Sequence, residues 1–169
     1  MATERSDYLE QSPIHLIHRA GQCADSLFES EMGDRDLTPR QLAVLVAVRE
    51  NEGANQTALV RRTGIDRSTL GAMVLRLRRK QLIQRRRNPE DARAYTITLT
   101  EQGRRLLRAA QPVVKRVDEG VLHALTSDHR DQFINALTTI VDAFQDLASQ
   151  TSEQPESVGQ VGAAPKRRK

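Results

Sequence analysis

Between Asp66 and Arg93 the chain carries nine basic side chains against three acidic ones. The bases are Arg67, Arg76, Arg78, Arg79 and Lys80, then Arg85, Arg86, Arg87 and Arg93, and the acids are Asp66, Glu90 and Asp91. The stretch is therefore +6 in a chain whose net charge is +4, so everything outside it sums to −2. Guanidinium and ammonium groups at this density suit one task, the neutralisation of phosphates along a nucleic acid backbone. A run of charge is most often a solvated face. Here it coincides with a sequence pattern that would hold the charges on one surface.

That pattern starts with Leu70, Met73, Val74 and Leu77, spaced i, i+3, i+4 and i+7, which predicts a helix with an apolar stripe and leaves Arg67, Ser68, Ala72, Arg76 and Arg79 on its other faces. Asp66 stands where an N-cap is wanted, and Gly64 closes the helix before it, as in a helix-turn-helix. The period then changes. Leu82 to Arg85 and Tyr95 to Leu99 are short β-prone runs, separated by the turn cluster Asn88-Pro89-Glu90-Asp91, and read as a hairpin. Upstream, Thr38 caps a helix with Pro39 in its first position and Gln41 completing a capping box; Leu42, Leu45 and Val46 form its core stripe. Asn55 caps the next helix, through Thr63, with Leu59 and Val60 facing inward. The expected fold is mainly α with a small β-hairpin wing, a winged helix-turn-helix.

Helices flank this module. From Pro13 the positions Leu16, Ile17, Ala20, Ala24, Leu27 and Phe28 mark a first helix ending near Met32-Gly33, and residues before Pro13 read as frayed. After Thr100 the stripe Leu106, Leu107, Ala110, Val113, Val114 and Val117 marks a long helix, with a bend expected near Pro112 or Gly120. Asp128 is the expected cap of a last helix carrying Phe133, Ile134, Leu137, Ile140, Val141 and Phe144. From Ser149 the composition turns to Ser, Gln, Glu, Gly and Pro, ending in Lys166-Arg167-Arg168-Lys169, the pattern of a disordered, basic-ended tail.

Composition narrows the function. At 169 residues and 38% hydrophobic the chain can bury a real core. No apolar run approaches the ~20 residues that cross a bilayer, and the start MATERSDYLEQSP lacks a signal-peptide core, so a cytoplasmic protein without a membrane partner is expected. One cysteine, Cys23, excludes an internal disulfide, and with only four histidines no metal site is expected. Trp is absent and aromatics total 3%, which disfavours a stacking platform for single strands, so duplex DNA is the expected partner. No Gly-rich phosphate loop and no G-x-S-x-G elbow occurs, and neither an enzyme nor a cofactor is expected.

Three stretches carry a resemblance: LTPRQLAVLVAV, TALVRRTGIDRSTLGAMVLRLRRKQLIQR and NPEDARAYTITLTEQG. From Pro13 to about Leu147 the chain resembles the MarR family of bacterial transcription regulators. The third stretch keeps the family's D-x-R wing motif as Asp91 and Arg93. The resemblance implies that Arg93 enters a minor groove, where negative potential concentrates, and Asp91 can hold it by a charge-assisted hydrogen bond. It also implies a homodimer in which the first and last helices of two chains interleave. The expected division is a dimerisation helix in 1–33, the winged helix-turn-helix in 34–100, dimerisation helices in 101–148 and the tail in 149–169.

Two recognition helices would then enter successive major grooves of a pseudo-palindromic operator. Ser68, Thr69 and Arg76 are the expected base-edge readers, with Arg67 on phosphate or base, and Arg85, Arg86 and Arg87 on the wing positioning the protein through phosphates. Repression is the family's default. The family commonly binds small phenolic or carboxylate effectors in a crevice between the dimer helices and the winged domain. His15, His18 and Arg19 are candidate donors to such an anion, an aromatic acid or its acyl-CoA thioester. Singly, a helical His is more often packed or solvated than a ligand. Two other readings stand beside this one. A redox switch would act through Cys23, but peroxide-sensing relatives place their cysteine early in the first helix among tyrosines, whereas Cys23 lies fifteen positions before Thr38 and the only tyrosines are Tyr8 and Tyr95. A purely architectural DNA binder would show no operator preference and no response to a ligand.

Overall fold

Most helices of this chain start at a short polar side chain that replaces a missing hydrogen-bond partner of the first turn. In the computed structural model, which describes residues 8–87 and 95–152, Ser12 accepts from the His15 amide (3.5 Å), Thr38 from Gln41 (3.3 Å) and Asn55 from Ala58 (2.9 Å). Asp66 accepts from Thr69 (2.9 Å) and Thr100 from Gly103 (3.0 Å). These caps open α2 (Pro13–Met32), α3 (Pro39–Glu50), α4 (Gln56–Thr63), α5 (Arg67–Arg79) and α6 (Glu101–His123). Ahead of them, where fraying was expected, one helical turn forms, α1 (Tyr8–Gln11). The capping box at Thr38 is only half made. The side-chain oxygen of buried Gln41 accepts from the Lys80 ammonium (3.5 Å), so Gln41 serves a tertiary contact as well as the cap position.

Helix α3 sits at the centre. Val44, Leu45 and Val48 are wholly buried, and Leu42 and Ala47 nearly so, while Val46 is only half-buried. Its buried surface is therefore wider than the expected stripe of Leu42, Leu45 and Val46, because α4, α5, α6 and the hairpin all pack around it. Leu59 from α4, Leu70, Val74 and Leu77 from α5, and Leu107, Ala110 and Val113 from α6 complete the core. Phe28 and Met32, at the end of α2, join the same cluster. An ion pair between Glu31 and Arg116 (2.6 Å) ties α2 to α6. The first half of α2 does not share in this burial: Ile14, Leu16 and Ile17 are exposed. Helix α6 runs unbroken through both Pro112 and Gly120.

The hairpin pairs β1 (Ile83–Arg87) with β2 (Tyr95–Leu99) antiparallel, in register Ile83 with Leu99, Arg85 with Ile97 and Arg87 with Tyr95. Ala54, between α3 and α4, adds a single bridge to the other edge of β2 at Ile97, which fastens the hairpin base to the helix-turn-helix. The joint from α5 into β1 is a Schellman turn: the Leu82 amide bonds the Leu77 carbonyl (2.9 Å) and the Gln81 amide bonds that of Arg78 (2.9 Å). It places Gln81 at φ +55°, a left-handed position where glycine is usual. At the other end of the hairpin, Thr100 donates its hydroxyl to the Gln81 carbonyl (2.6 Å) and its amide to that of Leu82 (3.1 Å). Gly103 then packs directly on Leu82; a Cβ there would stand 2.0 Å from the Leu82 carbonyl oxygen.

Helices α1 to α6 belong to one unit ending at Leu125, and a second unit begins at Thr126 with α7 (Ser127–Ser152). Asp128, the expected cap, lies inside the first turn of α7, one position after the helix has begun. Ile134, Ile140, Val141, Phe144 and Leu147 of this helix are exposed. The helix continues three residues past Ser149, where the tail was expected to begin, and the remainder lies outside the described residues.

Candidate nucleic-acid interface

At about 100° per residue, the side of α5 opposite the buried Leu70, Val74 and Leu77 carries Ser68, Ala72, Leu75 and Arg79. The flank nearer the hairpin carries Arg67, Gly71 and Arg78, and the other flank Thr69 and Arg76. The helix is held at its N-terminus by Asp66, whose Oδ1 accepts from the Ser68 hydroxyl (2.6 Å) and the Thr69 amide (2.9 Å). Those hydrogen bonds, Ser68 first and then Thr69, hold the Asp66 carboxyl well below the usual carboxylate range. The turn between α4 and α5 is clamped as well. Gln56 donates to the Arg67 carbonyl (3.3 Å) across the position where Gly71 has no Cβ; one placed there would stand 3.2 Å from the Gln56 amide nitrogen.

A cleft of about 460 Å³ runs between the start of α4, the flank of α5 and the hairpin. Three guanidinium-bearing side chains line it, Arg67, Arg78 and Arg85. Arg67 donates to the Thr57 hydroxyl (3.3 Å), and the Arg85 guanidinium lies over the Tyr95 ring, 3.7 Å from its centroid. That stacking follows from the register: Arg85 faces Ile97 directly and reaches Tyr95 on the diagonal of the same sheet face. Asn55, Gln56 and Thr57 also line the cleft, so the first turn of α4, the positive end of its dipole, opens on it. A concave, cationic surface bordered by the first turn of a helix is suited to a phosphate chain.

The structure sorts the expected site residues. Arg67, Ser68, Arg76, Arg85, Arg86 and Arg87 are exposed and Thr69 is half-buried beside its cap. Strand alternation separates the three wing arginines: Arg85 and Arg87 share the face of Tyr95, while Arg86 lies on the opposite face with Gln84, to which it donates (3.4 Å). Asp91 and Arg93 lie outside the described residues. Lys80 is withdrawn from the basic footprint, because its ammonium pairs with the Asp36 carboxylate (2.8 Å) and anchors the end of α5 to the segment before α3. Sequence reasoning counted Arg78 in the basic stretch without giving it a contact, and passed over Thr57 and Leu75. The spacing of Arg78 from Gly71 and Leu75, seven and three residues, would have placed it on the hairpin flank.

A second concavity, about 510 Å³, lies between α3 and α6. Its walls are apolar, including Leu42, Val46, Leu107 and Val114; Arg49 supplies a cation, and Lys115 is paired there with Glu119 (3.7 Å). Asp118 borders it too, and burial pushes that carboxyl up from its ordinary value. A smaller hollow sharing Leu42, Val114 and Asp118 is bordered by α2 at Ala24, Asp25 and Phe28. His15, His18 and Arg19 lie further toward the start of α2, with His15 half-buried and the other two exposed, and do not line either hollow. Cys23 is exposed on the same helix. Among the described residues no group of metal-ligating side chains converges, and no helix is long and apolar enough to cross a membrane.

A capped recognition helix, a hairpin on its C-terminal side and a shared arginine-lined cleft define a winged helix-turn-helix DNA-binding module. The comparisons agree. The MarR family model matches residues 37–95. The HTH-type transcriptional repressor NicR of Pseudomonas putida is 30% identical over 129 residues, covering 76% of this chain and 82% of NicR. BpsR of Bordetella bronchiseptica, solved in work on the regulation of its DNA binding by 6-hydroxynicotinic acid, superposes with a TM-score of 0.69 at 28% identity, over 75% of this chain and 96% of that one. The transcriptional repressor CouR, solved on a 23-mer DNA duplex, superposes with a TM-score of 0.74 at 30% identity, over 83% and 99% of the two chains. The chain belongs to the MarR family, and is a DNA-binding transcriptional regulator of winged helix-turn-helix type.

Proposed function

We propose that this regulator is a homodimeric repressor that holds a pseudo-palindromic operator and lets go when a small anionic aromatic effector binds. The observation that carries the DNA half of the reading is the cleft in which Arg67, Arg78 and Arg85 from two elements meet the first turn of α4. A phosphate chain seated there sets α5 into the major groove, where Ser68, Thr69 and Arg76 reach base edges. Arg87, on the strand face of Arg85, extends the backbone contact, and Arg86, on the opposite face, adds little to it. Arg93, steadied by Asp91, supplies the minor-groove contact; this rests on the resemblance of the wing motif. The dimer is supported by the exposed apolar residues of α2 and α7, which need a partner surface. In this reading residues 1–33 and 101–148 make the dimer, 34–100 hold DNA, and the basic tail in 149–169 is left without a role. The protein acts in the cytoplasm, where its operator is.

The effector half is supported by the concavity between α3 and α6. It joins an element of the DNA-binding module to a dimerisation helix, so a ligand that fits one spacing of the two better than the other shifts the fraction of DNA-competent dimer. Its apolar walls suit an aromatic ring, and Arg49 is a cation placed to meet a carboxylate. His15, His18 and Arg19 serve an anion only where the dimer brings their part of α2 to a ligand. BpsR, whose DNA binding responds to 6-hydroxynicotinic acid, and NicR, a repressor, support the choice of effector class and of sign.

The test is an anisotropy titration of a duplex the protein has selected from a randomised pool, against a scrambled duplex, at one salt concentration, with and without 6-hydroxynicotinic acid, benzoic acids and their acyl-CoA thioesters. A preference of about 10³ or more for the selected duplex, lost with one of the acids or thioesters, supports the reading. Equal binding to both duplexes, indifferent to every ligand, identifies an architectural binder instead.

A further inference from the structure

The groove-facing line of α5 contains a side chain that nothing in phosphate binding explains. Leu75 is 51% exposed, and among the described residues of the segment 37–99 it is the one large hydrophobic side chain left in solvent. The other exposed large hydrophobics of the first unit sit on α1, α2 and α6. An exposed leucine by itself says little, but this one lies midway along the side of α5 turned away from the core. One turn before it is exposed Ala72, and beside it Gly71, where a Cβ would crowd the Gln56 side-chain amide. The outward line therefore reads Ser68, Ala72, Leu75, Arg79: polar groups at the two ends and two turns between them with no hydrogen-bonding side chain.

We propose that Leu75, with Ala72 beside it, reads the C5-methyl group of thymine on the floor of the major groove, so that each operator half-site requires a thymine at the position under the centre of α5. This rests on the operator-binding reading above. The occupant follows from the chemistry of base edges. In the major groove guanine, adenine and cytosine present donors and acceptors, and only thymine adds an apolar group. An aliphatic side chain pressed on a guanine O6 or a cytosine amino group would strip its water without replacing the hydrogen bond, which is unfavourable. Pressed on a thymine methyl, it buries apolar surface on both partners. Charge complementarity fixes the approach: Arg67 and Arg78 hold the backbone in the cleft, and Leu75, which borders that cleft and also lies on the outward line of α5, is carried toward the base edges beside it.

The experiment replaces thymine by deoxyuridine, one position at a time and symmetrically in both half-sites, in the duplex selected by the full-length protein. Binding is measured by anisotropy for the wild type and for Leu75→Ala. The substitution is at an exposed helical site where alanine is a better helix former, and a thermal melt confirms the fold. At one position per half-site, removal of the methyl weakens wild-type binding about fourfold per half-site, as expected for burying one methyl-sized group, and about fifteenfold with both changed. In Leu75→Ala the same uridine substitution changes binding by less than about twofold. The inference is overturned if uridine is tolerated at every position, or if Leu75→Ala keeps the full penalty. If the wild type binds selected and scrambled duplexes alike, the operator reading itself fails and this inference fails with it.

Discussion

Arg85→Ala against Arg86→Ala separates a wing that positions the protein on phosphates from a hairpin that is merely basic. The two arginines are adjacent in sequence but on opposite faces of β1: Arg85 stacks on Tyr95 inside the cleft, and Arg86 turns away toward Gln84. In the bound state Arg85 loses one charge-assisted contact on truncation, about 1.5 kcal/mol or tenfold per protomer, hence roughly a hundredfold for a dimer. Each phosphate contact also contributes about 0.9 to the slope of log K against log salt, so the plot should flatten by about 1.8. A phosphate contact carries no sequence information, and the loss should be equal on operator and scrambled duplex. Loss of the ring contact takes about 0.5–1 kcal/mol from the stability of the hairpin as well, which a melt monitors separately. Arg86→Ala should stay within about threefold of wild type with its slope nearly unchanged. The assay is an anisotropy titration at four or five salt concentrations for each variant. Equal losses for the two variants, or an unaltered slope for Arg85→Ala, would refute the assignment of the cleft to phosphate.

Three further outcomes concern the scaffold. Gln81→Gly should stabilise the protein by about 0.5–1 kcal/mol in denaturant unfolding, because the left-handed conformation at φ +55° is unfavourable for a residue with a Cβ; a decrease in stability would mean that the Gln81 side chain has a role of its own. Gly103→Ala should destabilise by at least ~2 kcal/mol, since the new Cβ meets the Leu82 carbonyl, and the melt should drop without a change in helix content at low temperature. For Asp66 the sign follows from its lowered pKa. Its folded-state value is below the unfolded one, so its contribution is complete above about pH 4 and is lost progressively as pH falls further. Asp66→Asn keeps a cap that does not titrate, and its stability should fall less than wild type on acidification from pH 5 to about pH 2; parallel acid curves would refute the contribution.

Much of the module was legible because three of its helix starts are announced by a residue with a local job. Thr38, Asn55 and Asp66 act within three residues of themselves, and a local rule reads a local bond. Ser12 and Thr100 cap in the same way but were not among the expected caps, and Asp128, which was, lies inside α7. The apolar stripe of α5 was legible for the same reason. Lys80 was not, because its partner, Asp36, lies 44 residues away and a run of bases does not reveal which one folds back. The width of the buried surface of α3 also escaped, since four elements pack around it and the polar Gln41 is buried with the rest. In the candidate site the arginines drew notice by their charge, while Leu75, outside the apolar stripe of Leu70, Met73, Val74 and Leu77, did not, because one apolar side chain carries neither charge nor motif to mark it. The division of labour between Arg85 and Arg86 needed the strand register.

On the proposed reading, α5 of each of two protomers occupies a major groove. Methylation protection of guanine N7 on the selected duplex probes that groove directly. The expected result is two protected patches on one face of the duplex, centred about 10 base pairs apart, both weakened in Arg85→Ala. A single patch, or diffuse protection that follows no sequence, would contradict it.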